Sequence, residues 1–208
     1  MCILSNKYPN YIFTDASLIK KAGIGIYYAA PHIQNPVKKH YYIDGKKDIN
    51  RAELSAIYAG LLLYPTTHPA QLPQLATHGK LPQLAIFSDS ITAINLIEDK
   101  TYNKKFDTLV QCIRYLSSKK YKNSKLIYTK VKAHSGIIEN DIAHYLARCG
   151  ARCDAQSGAD CAQPYLFHMP DSVVQTKKET PHSSIEELVL ENIYKNSLVH
   201  RDIDFTIS

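Results

Sequence analysis

The sequence predicts a mixed α/β fold, in which one five-stranded sheet is flanked by helices in the order β-β-β-α-β-α-α-β-α. Three short runs rich in aromatic and β-branched residues lie near the N-terminus, and short loops join them, which indicates an antiparallel meander. A segment with helical spacing follows, and then a continuous apolar run typical of a strand buried on both faces. A meander followed by crossover helices implies a mixed sheet with helices on its faces.

The first three strands are expected at residues 11–14, 22–28 and 38–43. The first helix is predicted over residues 51–63 and ends before Pro65, since proline cannot continue a helix. Its apolar residues recur at helical spacing, and they are Leu54, Ile57, Tyr58, Leu61 and Leu62.

The second half of the chain repeats this alternation of strand and helix. A fourth strand is predicted at residues 84–88, two helices at 90–98 and 106–118, and a fifth strand at 126–131. A last helix at 140–149 completes a domain over residues 1–150, and its expected apolar face consists of Ile142, Tyr145, Leu146 and Cys149. Residues 151–182 lack periodicity and are interpreted as a linker or weakly ordered arm. Residues 183–208 are interpreted as a C-terminal extension with one helix.

Composition narrows the class of protein. The chain has 208 residues and a net charge of +6, a mild preference for anionic partners. It contains no run of the roughly 20 apolar residues that a membrane span needs and no secretory signal, so we expect an intracellular protein of the cytoplasm or nucleus without a membrane partner. Five cysteines at irregular spacing favour free thiols. A zinc site from Cys149, Cys153, Cys161 and His168 is the alternative, although the spacing matches no usual ligand pattern.

Three acidic residues are the first candidates for chemistry. Asp15 and Asp89 each close an apolar strand, and Glu53 lies in the first turn of the first helix. A carboxylate at the end of a buried strand is costly unless something positive meets it, and hard divalent cations meet this need with oxygen ligands. Clustered carboxylates with magnesium are the chemistry of phosphodiester cleavage. The alternatives are ordinary turn residues for the two aspartates and a capping box with Asn50 for Glu53.

Several short motifs together resemble the type 1 ribonuclease H family, which includes the ribonuclease H domains of retroelement reverse transcriptases. The resemblance covers roughly residues 8–151 and rests on the segments Phe13-Thr14-Asp15-Ala16-Ser17, Asn50-Arg51-Ala52-Glu53-Leu54, Phe87-Ser88-Asp89-Ser90, Val131-Lys132-Ala133-His134-Ser135-Gly136 and Glu139-Asn140, in the family's order. It implies a ribonuclease H-like sheet in which the first and fourth strands are adjacent and parallel.

The resemblance also implies an activity. Asp15, Glu53 and Asp89 would bind two Mg²⁺ or Mn²⁺ ions, and the enzyme would cleave the RNA strand of RNA–DNA hybrids endonucleolytically. His134 would assist proton transfer or product release from a loop, unless it is an ordinary surface histidine. A further set of polar residues would contact the hybrid or, alternatively, only cap helices and turns: Ser17, Asn50, Ser90 and Asn140.

One position departs from the family pattern. The residue four positions after Asn140, usually a carboxylate in the family, is His144. Three interpretations are open. In the first, His144 is a nitrogen ligand, which predicts a preference for manganese. Otherwise Asp141 is the fourth ligand instead of His144, or the site is weakened or inactive. The last case would leave a nucleic-acid-binding module, and another nuclease of the same superfold is the remaining alternative.

Overall fold

The protein is described by a computed structural model over residues 7–31, 33–65, 82–152, 165–170 and 184–199. The elements within these ranges are β1 (Asn10–Leu18), β2 (Ala22–Ala29), β3 (Val37–Ile43), α1 (Ile49–Leu63), β4 (Gln83–Ser88), α2 (Ile91–Ile97), α3 (Asp107–Lys120), β5 (Lys125–Lys130), α4 (Ile138–Arg152), β6 (Tyr165–Phe167) and α5 (Ile185–Val199). The predicted mixed α/β class is confirmed, as is the order of the first nine elements. No helix in the described ranges has the length and apolar character to span a membrane.

The sheet has six strands in the order β5-β4-β1-β2-β3-β6. The first three strands form the expected antiparallel meander, whereas β4 pairs in parallel with both β1 and β5. The sixth strand, β6, corrects the expected count of five, because its three residues pair in parallel with the end of β3. It lies inside residues 151–182, which were interpreted above as a linker or weakly ordered arm. A strand of three residues is too short to show the alternation of apolar and polar residues that predicts a strand from sequence.

The first strand is longer than predicted. It was expected to end at Thr14, yet it continues to Leu18 because β2 pairs with it along that whole length. Its parallel pairing with β4 stops earlier, at Phe13 opposite Phe87. Asp15 therefore lies inside β1 but beyond the end of its pairing with β4.

Helices cover both faces of the sheet. On one face, α1, α2, α3 and α5 pack on the strand residues Ile12, Ile24, Ile26 and Ile86. On the other face, among the described helices, only α4 contributes to the cluster formed by Tyr11, Phe13, Tyr27, Ala85 and Phe87. The catalytic candidates lie where these two layers meet at one rim of the sheet.

Two glycines of β2 let α4 lie directly on the strand backbone. A Cβ atom at Gly25 would lie 2.0 Å from the carbonyl oxygen of Ala143, and one at Gly23 would lie 2.1 Å from the amide nitrogen of Ala151. Any larger residue at either position would push the helix away, since both obstacles are backbone atoms. The position of α4 on the sheet therefore depends on these two glycines.

The C-terminal helix is tied to the rest of the fold by buried amides. The Nδ2 atoms of Asn192 and Asn196 donate to the carbonyl oxygen of His168 at 2.6 and 3.0 Å, and the His168 amide donates to Asn196 Oδ1 at 3.0 Å. The hydroxyl of Tyr58, on α1, donates to Asn192 Oδ1 at 3.0 Å. Both asparagines are fully buried, so α5 is bound to α1 and to the segment after β6 by satisfied polar contacts.

The cysteines differ from the expectation of free thiols. Cys112 is a buried free thiol, whereas Cys149 on α4 is disulfide-bonded. The expectation is therefore wrong for Cys149, and a sulfur in a disulfide is not available as a zinc thiolate. Cys153 and Cys161 lie outside the described residues.

Gly25→Ala should destabilise the protein by about 3 kcal/mol or more, the upper end of the usual range for overpacking, because α4 must move. Urea unfolding followed by circular dichroism measures the effect. Gly136→Ala is the matched control, since nothing lies near its Cβ position and its positive φ of 77° alone should cost about 1–2 kcal/mol. Equal effects of the two substitutions would contradict the close approach of α4.

Asn192→Ala should lower the free energy of unfolding by about 2 kcal/mol, because it leaves the Tyr58 hydroxyl and the His168 carbonyl without this partner. Tyr194→Ala on the exposed side of the same helix should change it by no more than about 0.5 kcal/mol. Thermal unfolding of both variants tests whether α5 belongs to the cooperative fold. Identical melting of Asn192→Ala and the wild type would show that it does not.

Candidate metal centre

The rim of the site is formed by two similar tripeptides, Phe13-Thr14-Asp15 and Phe87-Ser88-Asp89. Phe13 and Phe87 are opposite each other in the parallel register, and their rings stack at 4.5 Å with an interplanar angle of 16°. Asp15 and Asp89 each lie two residues further along. Asp15 is still on β1, whereas Asp89 is the first residue after β4, and an oxygen atom of each lies within 4.8 Å of the other. The prediction that the two charges meet at one rim is confirmed.

The residues between each phenylalanine and its aspartate are small, buried and hydrogen-bonded. The Thr14 hydroxyl donates to the carbonyl oxygen of Phe87 at 3.4 Å. The Ser88 hydroxyl accepts from the amide of Ser90 at 3.1 Å and so holds the turn that carries Asp89. Sequence reasoning missed this role of Ser88, although a serine between an apolar run and an aspartate was a signal for it.

Glu53 reaches the rim from α1. The N-cap of this helix is Asp48, whose Oδ1 accepts from the amide of Arg51 at 3.1 Å, so the helix begins at Ile49. The capping-box interpretation of Asn50 and Glu53 is therefore wrong, as is the placement of Glu53 in the first turn. Asp48 also pairs with Lys105, which ties the start of α1 to the segment before α3.

The three carboxylates converge. Asp15, Glu53 and Asp89 each offer an oxygen atom, and these atoms all lie within 4.8 Å of one another. Asp15 and Glu53 are only 4% and 5% exposed, and the buried Oε2 of Glu53 has no hydrogen-bond partner in the described ranges. Within the described part of the chain, no lysine or arginine forms an ion pair with Glu53 or Asp89. Such a set of hard oxygen donors with an orphaned buried oxygen fits a divalent cation.

Burial and mutual repulsion alter the acidity of the cluster. Burial, followed by the charge of Asp89, raises the pKa of Asp15 from 3.8 to about 6, against the opposing hydrogen bond and charge of His144. Burial, followed by the charges of Asp15 and Asp89, raises the pKa of Glu53 well above its usual range. Both shifts oppose ionisation, which a bound cation would favour.

His144 lies beside the cluster on α4. Its Nδ1 is 2.6 Å from Oδ2 of Asp15, and its ring meets the ring of His134 edge-on, with centroids 5.1 Å apart. His134 itself is exposed, in the loop before α4, and has a positive φ of 53°. Asp141 is exposed on the same helix and does not join the described group of clustered ligand atoms.

The predicted hybrid-binding residues have varied surroundings. Ser90 is the N-cap of α2, with its Oγ accepting from the Ala93 amide at 3.2 Å, so the capping interpretation holds there. Ser17 and Asn50 are partly exposed, on β1 and in the first turn of α1. Asn140 is 4% exposed in the first turn of α4, and its Oδ1 has no hydrogen-bond partner within the described part of the chain. Their contacts with a nucleic acid stay a prediction.

Comparisons with known proteins identify one matching family. A family model described as RNase H matches residues 8–152. Similar solved structures include RNase H1 from the archaeon Halobacterium salinarum NRC-1 (14% identity, 69% of this chain and 97% of that chain, TM-score 0.47) and LC11-RNase H1 in complex with an RNA/DNA hybrid (14% identity, 67% and 96%, TM-score 0.48). Another is the N-terminal RNase H domain of rv2228c from Mycobacterium tuberculosis (16% identity, 69% and 97%, TM-score 0.44). No curated protein matches the chain significantly.

Asp15→Asn should stabilise the metal-free protein at about pH 8, on the order of 2 kcal/mol. The reason is that the pKa of Asp15 is raised to about 6 in the folded protein, so the folded state binds this proton more tightly than the unfolded state. Proton binding by Asp15 therefore stabilises the folded state fully below about pH 4, and this stabilisation is lost as the pH rises through about 6. Urea unfolding in a chelator at about pH 5 and pH 8 measures the difference.

Asp107→Asn on α3 is the control for this experiment, because its carboxylate lies outside the cluster and should show no such change between the two pH values. Added Mg²⁺ should raise the melting temperature of the wild type and leave that of Asp15→Asn nearly unchanged. A destabilised Asp15→Asn protein at pH 8 would contradict the assignment of repulsion at this site.

Proposed function

The chain belongs to the RNase H family, and from this premise we propose that it is a metal-dependent endonuclease that hydrolyses the RNA strand of RNA–DNA hybrids. The observation that carries the proposal is the convergence of Asp15, Glu53 and Asp89, with their oxygen atoms within 4.8 Å of one another. These residues stand in the motifs on which the resemblance to type 1 ribonucleases H rests.

The three carboxylates would hold two divalent ions, Mg²⁺ or Mn²⁺. Such ions activate water as a nucleophile and neutralise the charge that develops on the phosphate. Glu53 suits this role because its buried Oε2 has no hydrogen-bond partner among the described residues. Asp15 suits it because β1 fixes its backbone and His144 fixes one of its oxygens.

His134 is proposed to move a proton during departure of the product. Its ring is exposed in the loop before α4 and touches His144, so it lies next to the carboxylate cluster without being part of it. An imidazole can both accept and donate a proton, which suits proton transfer. Ser17, Asn50, Ser90 and Asn140 are proposed to contact the hybrid, and the net charge of +6 favours its approach.

A hybrid-binding module without activity is the second candidate. One observation favours it, the absence of a carboxylate at position 144, where His144 instead contacts Asp15. Other nucleases of this superfold differ in substrate, so a comparison of hybrid with duplex DNA separates them from a ribonuclease H. The 2′-hydroxyl of RNA is the group by which such an enzyme selects its strand.

Cleavage of an end-labelled RNA–DNA hybrid in Mg²⁺ or Mn²⁺ tests the proposal. We expect internal cuts in the RNA strand only, and no cleavage of the same sequence as duplex DNA. Glu53→Gln should lower the cleavage rate by more than about 100-fold. Mutation of a residue that only hydrogen-bonds a metal ligand usually costs about 10- to 100-fold, so a larger loss is expected for a ligand itself. Glu98→Gln, an exposed glutamate paired with Lys100, is the matched control and should keep full activity.

Binding of the hybrid without any cleavage in either metal would instead support the inactive module. Cleavage of duplex DNA at a comparable rate would point to another nuclease of the superfold.

A further inference from the structure

Charge is distributed unevenly between the two ends of the sheet. The strands β1, β4 and β5 are parallel, and the carboxylate cluster lies at the end where β1 and β4 finish. Three connections begin and end at the opposite end: residues 29–37 between β2 and β3, residues 64–82 between α1 and β4, and residues 120–125 between α3 and β5. The sequence of these three connections contains no aspartate and no glutamate.

Lysines are concentrated at this opposite end. Lys125 pairs with Gln83 at the start of β4, and Val37 pairs with Tyr28 near the end of β2, so the first residues of β3 and β5 lie at the same end of the sheet. Within the described part of the chain, none of the five lysines there that are exposed or partly exposed forms an ion pair with an acidic side chain. We call this set the basic pole, and its members are Lys38, Lys39, Lys119, Lys122 and Lys125.

The turn after α3 presents its lysine to solvent. The hydroxyl of Tyr121 donates to the Leu61 carbonyl at 2.6 Å, and the Ser124 amide donates to the Tyr121 carbonyl at 2.9 Å. Tyr121 is 5% exposed, so it anchors the turn on the end of α1, whereas Lys122 is exposed. Lys120 is not a member of the pole, since its Nζ donates to the Leu61 carbonyl at 3.1 Å.

Local stability explains only part of this pattern. A helix C-terminus favours nearby cations, which accounts for Lys119 but not for Lys122, Lys125 or the lysines of β3. Lys119 also lies over the ring of Tyr115, which Glu186 of α5 contacts, so a carboxylate is present in its neighbourhood. The charge carried by Lys122 and Lys125 has no such partner among the described residues.

The arrangement fits an extended polyanion. Four strand spacings separate β5 from β3, a width of about 19 Å. A nucleic-acid duplex carries a phosphate roughly every 3.4 Å along each strand, so a band of this width faces several phosphates. A lipid surface would match the charge, but peripheral membrane binding also inserts apolar side chains. None of the large hydrophobic side chains that the described residues expose lies in the three connections.

We propose that the basic pole binds the phosphate backbone of a nucleic acid, at a surface separate from the carboxylate cluster. The helix α1 carries Glu53 near its start and ends at the pole, and its 15 residues span about 22 Å. Phosphate contacts carry no sequence information, so the pole holds duplex DNA as well as a hybrid. It keeps one segment of nucleic acid on the protein while the carboxylate cluster is free to meet another.

Binding of a labelled duplex DNA to the full chain, followed by fluorescence anisotropy, tests the inference. A chelator is present, because a cation held by the carboxylates would itself attract phosphate. Lys122→Gln/Lys125→Gln should bind more than about 10-fold more weakly than the wild type at about 0.1 M salt. The slope of log K against log salt should fall in magnitude by about 2, since each lost phosphate contact contributes roughly 0.9.

The matched control is Lys100→Gln/Lys195→Gln. It removes the same two charges from lysines outside the pole, which pair with Glu98 and Glu191. Its affinity and salt slope should equal those of the wild type. The double arginine variant at positions 122 and 125 keeps the charge of the pole and should also bind as the wild type does.

The inference is overturned if the wild type binds no duplex DNA, or if the glutamine variant of the pole and the control lose affinity equally, which would reflect net charge alone. A double arginine variant that binds as weakly as the double glutamine variant would overturn it as well. Vesicles of phosphatidylcholine with phosphatidylserine form a further arm of the test. Vesicle binding that depends on Lys122 and Lys125, together with DNA binding that does not, would assign the pole to a lipid surface instead.

These measurements use neither a metal nor cleavage. Loss of DNA binding in the glutamine variant of the pole, together with a wild type that cleaves no hybrid, would contradict the proposed function alone. Cleavage of hybrids by a wild type whose DNA binding ignores the pole would contradict this inference alone.

Discussion

Three carboxylates confined to one rim of a sheet are the constraint on which the rest of this structure depends. Their oxygens lie within 4.8 Å of one another, and two of the three side chains are almost fully buried. Without a cation, this arrangement opposes folding, since burial and like charge both disfavour the ionised forms. The surrounding elements must therefore hold each carboxylate in place. The in-register pairing of β1 with β4 ends two residues before each aspartate and brings the ends of the two strands together.

The remaining supports come from opposite sides of the sheet. On one side, α4 rests on the glycines of β2 and brings His144 to Asp15. On the other, α1 carries Glu53 and is fixed along its length. Asp48 caps its start, Tyr58 binds Asn192 of the C-terminal helix, and Lys120 donates to the Leu62 carbonyl at 2.6 Å near its end. The C-terminal helix thus contributes to the placement of a residue of the metal centre.

The sequence predicted the parts that rest on local patterns. Apolar runs and helical spacing located nine elements in order, and the parallel motifs ending in Asp15 and Asp89 placed both charges at one rim. Tertiary contacts decided the rest. β1 extends past Asp15 because β2 pairs with it, and Tyr145 is half exposed instead of buried because α4 turns its small residues toward the glycines of β2. The partner of His144 likewise depends on that approach, which no spacing within α4 reveals.

A crystal of the full chain soaked in Mn²⁺, with anomalous diffraction recorded at the manganese edge, tests the central claim most directly. The account predicts two anomalous peaks about 4 Å apart. Oxygens of Asp15, Glu53 and Asp89 should coordinate them. Peaks elsewhere, or none between these carboxylates, would contradict the claim that their convergence forms a divalent-metal centre.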